Sequence, residues 1–197
     1  DLADMGSVLV AFSGGVDSTY LLAEAVRVLG DRCVALTAVS PTLPEAELDE
    51  AKRLATELGV KHLLVDSKEL KVDGYRDNGP DRCYFCKTEL YDLCTVYAEK
   101  HGLAVIADGC NLDDVGDYRP GRKAASEHQI RSPLMDAQMT KNDIRSVSGH
   151  MGLRTARKAA FACLGSRFPY GTSIDETRLG RIDRCEQFLR DHGFHQF

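Results

Sequence analysis

Six consecutive residues, Ser13-Gly14-Gly15-Val16-Asp17-Ser18, carry the first chemistry in this chain. Two adjacent glycines let the backbone approach a ligand and turn its N–H groups toward it. A helix beginning just after them adds the partial positive charge of its N-terminus, so the loop favours phosphate. Ser13 and Ser18 offer hydroxyl donors. Asp17 would repel a bare phosphate and is expected to face Mg²⁺ instead. The loop has neither the Gly-Lys-Ser/Thr ending of a Walker A motif nor the G-x-G-x-x-G pattern. Its plain alternative is a tight strand-to-helix connection.

The second set is cysteine: Cys33, Cys83, Cys86, Cys94, Cys110, Cys163 and Cys185. An odd number, with no basic-then-apolar leader at the start of the sequence, argues against a disulfide framework and for a cytoplasmic protein. Cys83 and Cys86 form a C-x-x-C within Asp81-Arg82-Cys83-Tyr84-Phe85-Cys86-Lys87. Cys163 stands in Ala162-Cys163-Leu164-Gly165-Ser166-Arg167. Neighbouring Arg82, Lys87 and Arg167 are expected to lower thiol pKa values and favour thiolates, as nucleophiles or metal ligands. Half of a zinc site and two packed thiols are the alternatives, but no second C-x-x-C or C-x-x-H completes a zinc site. Cys33, Cys94 and Cys185 read as core residues. Tyr84, Phe85, Phe168 and Tyr170 flank the reactive set and are expected to pack around it and keep it dry.

Something must hold these residues in place. Val8–Phe12, Cys33–Thr37, His62–Val65 and Ala104–Ala107 are short apolar runs of the kind found in strands covered on both faces. Between them lie helical patterns over Ser18–Leu29, from Pro44 to Leu58, and from Tyr84 or Phe85 to Lys100. Ile130–Ser132 is a further strand candidate. Thr140 and Asp143 resemble a capping box opening a helix to about Met151, and Asp175–His192 is the last helix. This rhythm predicts an α/β fold with a doubly wound parallel sheet, Rossmann-like. Ligands of such folds bind beyond the carboxyl ends of the strands, where the loops 13–18, 37–44, 73–87 and 109–121 fall.

The length of 197 residues suits one domain with a small appendage, divided here as 1–152 and 153–197. No apolar run reaches the roughly 18 residues that span a bilayer. The net charge of −5 argues against a nucleic-acid coat protein, although residues 119–190 carry 14 basic against 7 acidic side chains. That final third suggests an anionic ligand, or simply a solvated basic surface.

The string Ser13–Ser18 between a buried strand and a helix resembles the PP-loop of the ATP pyrophosphatase superfamily. The resemblance implies ATP bound through Ser13, Gly14, Gly15, Asp17 and Ser18, with Thr37 and Gly109 from the neighbouring loops, and cleavage to AMP and pyrophosphate. A substrate oxygen attacks the α-phosphate and is later displaced as AMP by a nitrogen or sulfur nucleophile. Added to Gly109–Gly121 (GCNLDDVGDYRPG), Arg131–Leu134 (RSPL), RCYFCK and CLGSRFPYG, the chain resembles the LarE-type sulfur transferases of that superfamily. Members activate a pyridinium carboxylate nucleotide with ATP and exchange an oxygen for sulfur. Some sacrifice the sulfur of their own cysteine, which becomes dehydroalanine. Others hold a [4Fe–4S] cluster on three cysteines, a pattern that maps onto Cys83, Cys86 and Cys163. The resemblance also brings in a cysteine desulfurase as sulfur donor and a homo-oligomeric assembly.

Several positions depart from the family pattern. Cys110 replaces the threonine of its Gly-Thr-Asn, and is either a second sulfur-carrying nucleophile or a spare isostere. Ala156-Arg157-Lys158-Ala159 stands in place of Trp-x-Lys-Pro. The family continues beyond Gly193-Phe194 into a basic, β-rich region that helps hold the substrate phosphate, whereas this sequence stops at Phe197. Either that region lies outside this sequence, or the acceptor is a different and smaller molecule, such as a nucleobase carbonyl. Asp113, Asp114, Asp117 and Arg119 could orient Mg²⁺, ribose or substrate, or solvate a turn. Arg131 and Arg167 could grip AMP or a substrate anion, or pair at the surface. The six histidines show no ligand spacing and read as solvated or helix-capping. Rival functions are tRNA thiolation, an ammonia-using ligase of the same superfamily, and a nucleotide-binding regulatory module.

Overall fold

The computed structural model describes residues 1–115 and 120–194. Val8–Ala11 forms β1, Cys33–Val39 β2, Lys61–Asp66 β3 and Val105–Ala107 β4. They pair in the order β3-β2-β1-β4, and every pair is parallel. Helices α1 (Val16–Leu29) and α2 (Glu45–Glu57) follow β1 and β2, and α3 (Asp73–Arg76) and α4 (Arg82–His101) both lie between β3 and β4. Beyond β4 lie α5 (Pro120–Glu127), α6 (Pro133–Asp136), α7 (Lys141–His150) and α8 (Glu176–Asp191).

The apolar run of β1 is continuous because both faces of the sheet are covered. Val8 and Val10 pack with Leu21, Leu22 and Ala25 of α1, with Ala51 and Leu54 of α2, and with Ile144 of α7. Leu9 and Ala11 point the other way, onto Cys94 and Ala98 of α4. This is the doubly wound α/β fold expected from the strand and helix rhythm. A third cluster gathers Tyr75, Leu164, Phe168, Ile174 and Leu179 and ties α3 and α8 to the start of α4. Among the described residues no helix is long and apolar enough to cross a membrane.

Three expectations change. The segment 73–82, read as loop, contains the short α3, and α4 starts at Arg82, ahead of the expected Tyr84 or Phe85. Ile130–Ser132 does not form a strand: only Arg131 bridges to Ala107, and Pro133 opens α6 immediately afterwards. Cys185 is exposed on α8, whereas Cys33 and Cys94 are buried as expected. The capping box holds, with Asp143 N–H donating to Thr140 Oγ1 (3.2 Å) and Thr140 N–H to Asp143 Oδ2 (3.0 Å).

Candidate functional site

The chain leaves β1 toward β2 on one side, while β4 joins β1 on the other, so the strand order reverses at the carboxyl end of β1. The loop 13–18 emerges there. Gly14 has a φ of +70°, a conformation that glycine adopts without strain. Gly15 caps α1 and accepts from Thr19 N–H. The two serines close the turn, Ser13 Oγ and Ser18 Oγ lying 3.1 Å apart and Ser13 N–H donating to Ser18 Oγ (3.3 Å). Gly109, just after β4, lies against this helix start: a Cβ added there would fall 2.9 Å from Ser18 N.

A cavity of about 720 Å³ opens from this loop. Ser13, Gly15, Asp17 and Ser18 line one end of it, with Thr37 and Gly109 beside them. Cys83, Cys86, Cys110 and Cys163 line the same cavity. Gly14 stands just behind, its carbonyl accepting from Lys158 Nζ (3.0 Å). The hydroxyl of Thr37 turns away, donating to Phe12 O (2.7 Å) and meeting His62 Nε2 at 2.8 Å. His62 is thus a half-buried partner packed edge-on against Phe12 rather than a solvated residue.

The substrate candidates scatter. Arg131 forms an exposed ion pair with Asp136 (3.0 Å) outside the cavity lining. Arg167 pairs with buried Glu186 (2.6 Å) and lies over the ring of Phe161, which does line the cavity. Asp114 accepts from Asn111 N–H (3.0 Å) and Asp113 from Lys141 N–H (2.9 Å), so both organise the loop after β4. Asp117 and Arg119 lie outside the described residues.

The thiols have been placed in surroundings opposite to those expected from their basic neighbours. Burial pushes Cys163 up, against the lowering pull of Arg82. Burial, then the charge of Glu69, raises Cys86 well beyond the ordinary thiol range. Burial and the Asp108 carboxylate hold Cys110 up at about 12. Desolvation outweighs the cations because the half-buried positions leave a thiolate poorly solvated. Tyr170, expected over the cysteines, is exposed, and Tyr84 turns to α5, its hydroxyl donating to Glu127 Oε2 (2.7 Å). Phe85 and Phe168 do share one apolar cluster with Cys86.

Four polar residues with no expected role complete the walls. Lys141 Nζ pairs with Asp17 Oδ2, while Asp17 Oδ1 is buried with no partner. Lys158 joins Gly14 O to Glu47 (2.6 Å). Asp108 is 2% exposed and accepts from Tyr91 Oη (2.7 Å), Ser132 Oγ (2.7 Å) and Cys110 Sγ (3.2 Å). Burial presses its carboxyl up, but the Lys87 charge and these hydrogen bonds win and hold it below the usual carboxylate value. Glu69 accepts from Ser40 Oγ (2.6 Å) and Thr42 Oγ1 (2.5 Å), with Cys86 Sγ 3.7 Å away. Asp108 was findable as the first residue after β4. Glu69, an isolated acid in a polar stretch, left no such signal.

The orphaned Oδ1 of Asp17, beside a loop built for phosphate, is a carboxylate oxygen that would suit a Mg²⁺ ion. Cys83, Cys86 and Cys163 face one cavity as free thiols. Among the described residues, however, no three of His, Cys, Asp or Glu are grouped closely enough to hold a metal ion.

The family described as queuosine biosynthesis protein QueC matches residues 7–75. An uncharacterized protein of Synechocystis sp. is 44% identical over 193 residues, spanning 98% of this chain and 72% of that protein. The pyridinium-3,5-bisthiocarboxylic acid mononucleotide synthase of Lactiplantibacillus plantarum is 39% identical over 194 residues, spanning 98% of this chain and 70% of that enzyme. An uncharacterized protein of Methanocaldococcus jannaschii is 30% identical over 185 residues, spanning 94% of this chain and 70% of that protein.

Proposed function

The chain belongs to the LarE-type ATP-dependent sulfur transferases of the PP-loop superfamily, and from that premise we propose that it thionates a pyridinium carboxylate nucleotide at the cavity joining Ser13–Ser18 to the four cysteines. The observation that carries this reading is that one continuous cavity holds both the phosphate loop and Cys83, Cys86, Cys110 and Cys163. An enzyme that activates with ATP and then delivers sulfur needs both sets within reach of one substrate carbon.

In this reading the loop amides and the N-terminus of α1 hold the phosphates, and Asp17 would hold a Mg²⁺ whose charge would stabilise the departing pyrophosphate. An acceptor carboxylate oxygen forms a bond to the α-phosphorus as the bond to pyrophosphate breaks. A sulfur nucleophile then adds to the activated carbonyl carbon, and AMP leaves with the oxygen. If the sulfur is that of Cys163, the thioester is released by losing the Cα proton and breaking the Cβ–Sγ bond. The products are the thiocarboxylate and dehydroalanine. Cys163 is favoured over Cys110 because Arg82 offsets part of its burial, whereas Cys110 Sγ donates to the Asp108 carboxylate.

A [4Fe–4S] cluster on Cys83, Cys86 and Cys163 is the rival form that the family resemblance implies, but these free thiols, although they share one cavity, are not grouped closely enough here to hold a metal ion. A cysteine desulfurase recharges the protein in that case, and residues 153–197 serve as a cysteine-containing loop and C-terminal helix packing on the same domain of a homo-oligomer. The test is pyrophosphate release from ATP with a pyridinium carboxylate mononucleotide present. Acceptor-dependent release with sulfur gained by the acceptor supports the reading. Release that is dependent on a nucleobase or tRNA, and not on the pyridinium, overturns it.

A further inference from the structure

Residues 158–175 contain one short 3₁₀ helix, Leu164–Arg167, and a turn in which Thr172 N–H donates to Pro169 O (3.0 Å), yet they carry Cys163 to the cavity. Two buried polar side chains, Asn78 between α3 and α4 and Arg82 at the start of α4, hold this segment. Asn78 is fully buried and has a φ of +52°, a left-handed conformation that asparagine tolerates better than most residues. Its Nδ2 donates to Phe168 O (3.3 Å) and Pro169 O (2.8 Å), and its own carbonyl accepts from Gly171 N–H (3.0 Å). Its Oδ1 accepts from Arg82 Nη1 (2.8 Å).

Arg82, 7% exposed, sends the same Nη1 to Gly165 O (2.7 Å), two residues after Cys163. Its Nη2 lies 3.9 Å from Cys83 Sγ. One guanidinium therefore touches the backbone of the Cys163 segment and the sulfur of the C-x-x-C turn. Gly165 lets the segment come this close: a Cβ there would fall 2.5 Å from Tyr75 Oη. A buried guanidinium is costly to desolvate, and Arg82 has carbonyls and sulfur around it rather than an ion-pair partner among the described residues. Helix initiation at Arg82 requires no such arrangement.

We propose that Asn78 and Arg82 are positioning residues for sulfur delivery, setting the Cys163 segment against the helical turn of Cys83 and Cys86. The inference rests on the reading that these cysteines carry the sulfur. The amide of Asn78 fixes the height of the segment through two carbonyls, and the guanidinium fixes its distance from the C-x-x-C.

Asn78→Gly keeps the left-handed backbone and removes the clamp, so it is the variant to measure. Alkylation by iodoacetamide, followed by peptide mass analysis, reads the placement of each thiol without reference to activity. Cys163 should react about tenfold faster in the variant, Cys110 at an unchanged rate, and buried Cys94 should stay protected as the measure of intact fold. The kcat for thionation should fall about tenfold or more while the KM for ATP stays within about twofold. Asn78→Asp, equal in shape but without the amide donors, should behave like the glycine variant, and it replaces that variant if Cys94 becomes reactive. An unchanged Cys163 rate overturns the proposal whatever happens to kcat. Faster Cys163 alkylation with unaltered kcat shows the clamp to be real but Cys163 to be idle, which overturns the role in delivery and the sulfur assignment together. Absence of thionation by the unmutated protein, with the alkylation pattern as expected, strikes the functional reading alone.

Discussion

Lys141, the first residue of α7, pairs its ammonium with Asp17 of the phosphate loop, 124 positions earlier in the chain. The contact ties the carboxyl end of β1 to the N-terminus of α7, and Asp113 reinforces it by accepting from Lys141 N–H. Lys141 also lines the cavity, where it adds positive charge beside the position expected for the ATP phosphates.

Lys141→Met should therefore weaken ATP binding by about tenfold, the loss of one charge-assisted contact, and leave Asp17 buried without its cation. Titration calorimetry with ATP and Mg²⁺ measures it. The deficit should narrow as Mg²⁺ is raised, because the metal can take the place of the ammonium beside Asp17. Unchanged affinity at all Mg²⁺ concentrations would remove Lys141 from the phosphate site.

The phosphate loop, the strands and the parallel winding were legible because each is a local pattern. Val8–Ala11 is apolar throughout, two glycines follow, and a helix period begins at once. Asp108 sits at a place the fold rule points to, just past a strand end. Lys141 was not legible as a site residue, because nothing within a few positions distinguishes it from a surface lysine, and Lys158, although it stands at the lysine of the family's Trp-x-Lys-Pro, drew no role. Their roles come from long-range contacts with Asp17 and with Gly14. The thiol expectation failed for the related reason that neighbours in sequence supplied the cations, while burial, a property of the assembled cavity, had the larger effect on Cys86 and Cys163. Arg131 and Arg167 stood open between an anionic ligand and a surface partner, because charge alone does not say which partner a guanidinium finds; in the fold each pairs with an acid, Asp136 and Glu186.

Gly109→Ala tests the junction of β4 with the phosphate loop. The new Cβ would fall 2.9 Å from Ser18 N and 3.2 Å from Asp17 C, both backbone atoms that cannot rotate aside. The start of α1 must then shift, at a cost of about 1–3 kcal/mol. Thermal unfolding should show that loss, and ATP affinity should fall with it. A variant of undiminished stability and affinity would mean that the two backbones are not in close approach.

Asp108 and Cys110 make opposite pH predictions. The Asp108 carboxyl lies below its ordinary value, so its stabilising contribution is present above the unfolded pKa of about 3.9 and is lost as pH falls through the lower folded value. Cys110 is held at about 12, so its alkylation rate should climb about tenfold per pH unit from about pH 7 to about pH 9 with no plateau. Asp108→Asn keeps the shape and removes the anion, so Cys110 should react faster at any fixed pH in that range. The variant should also lose about 1–3 kcal/mol of stability, since one of the Tyr91 and Ser132 hydroxyls loses its acceptor. A plateau near pH 8.5 in the unmutated protein, the ordinary thiol value of about 8.5, would contradict the burial seen around Cys110.

Single serine variants at Cys110 and Cys163 divide the sulfur chemistry. The Cys110 thiol is spent as a donor to Asp108 Oδ2, a bond that a serine hydroxyl can also make, so Cys110→Ser should keep activity within about threefold. Cys163 lies on the cavity wall near the Arg82 guanidinium, and its replacement removes the sulfur itself, so Cys163→Ser should lose about a hundredfold or more in kcat. Intact-mass analysis after one turnover separates the two forms of delivery. A sacrificed cysteine shows as a loss of about 34 Da from the unmutated protein and from Cys110→Ser, but not from Cys163→Ser. A cluster leaves the polypeptide mass unchanged, gives absorbance at about 400 nm in anaerobic protein, and makes Cys83→Ser and Cys86→Ser as damaging as Cys163→Ser. Full activity in Cys163→Ser would end both forms at once, because each places a sulfur bond on that residue.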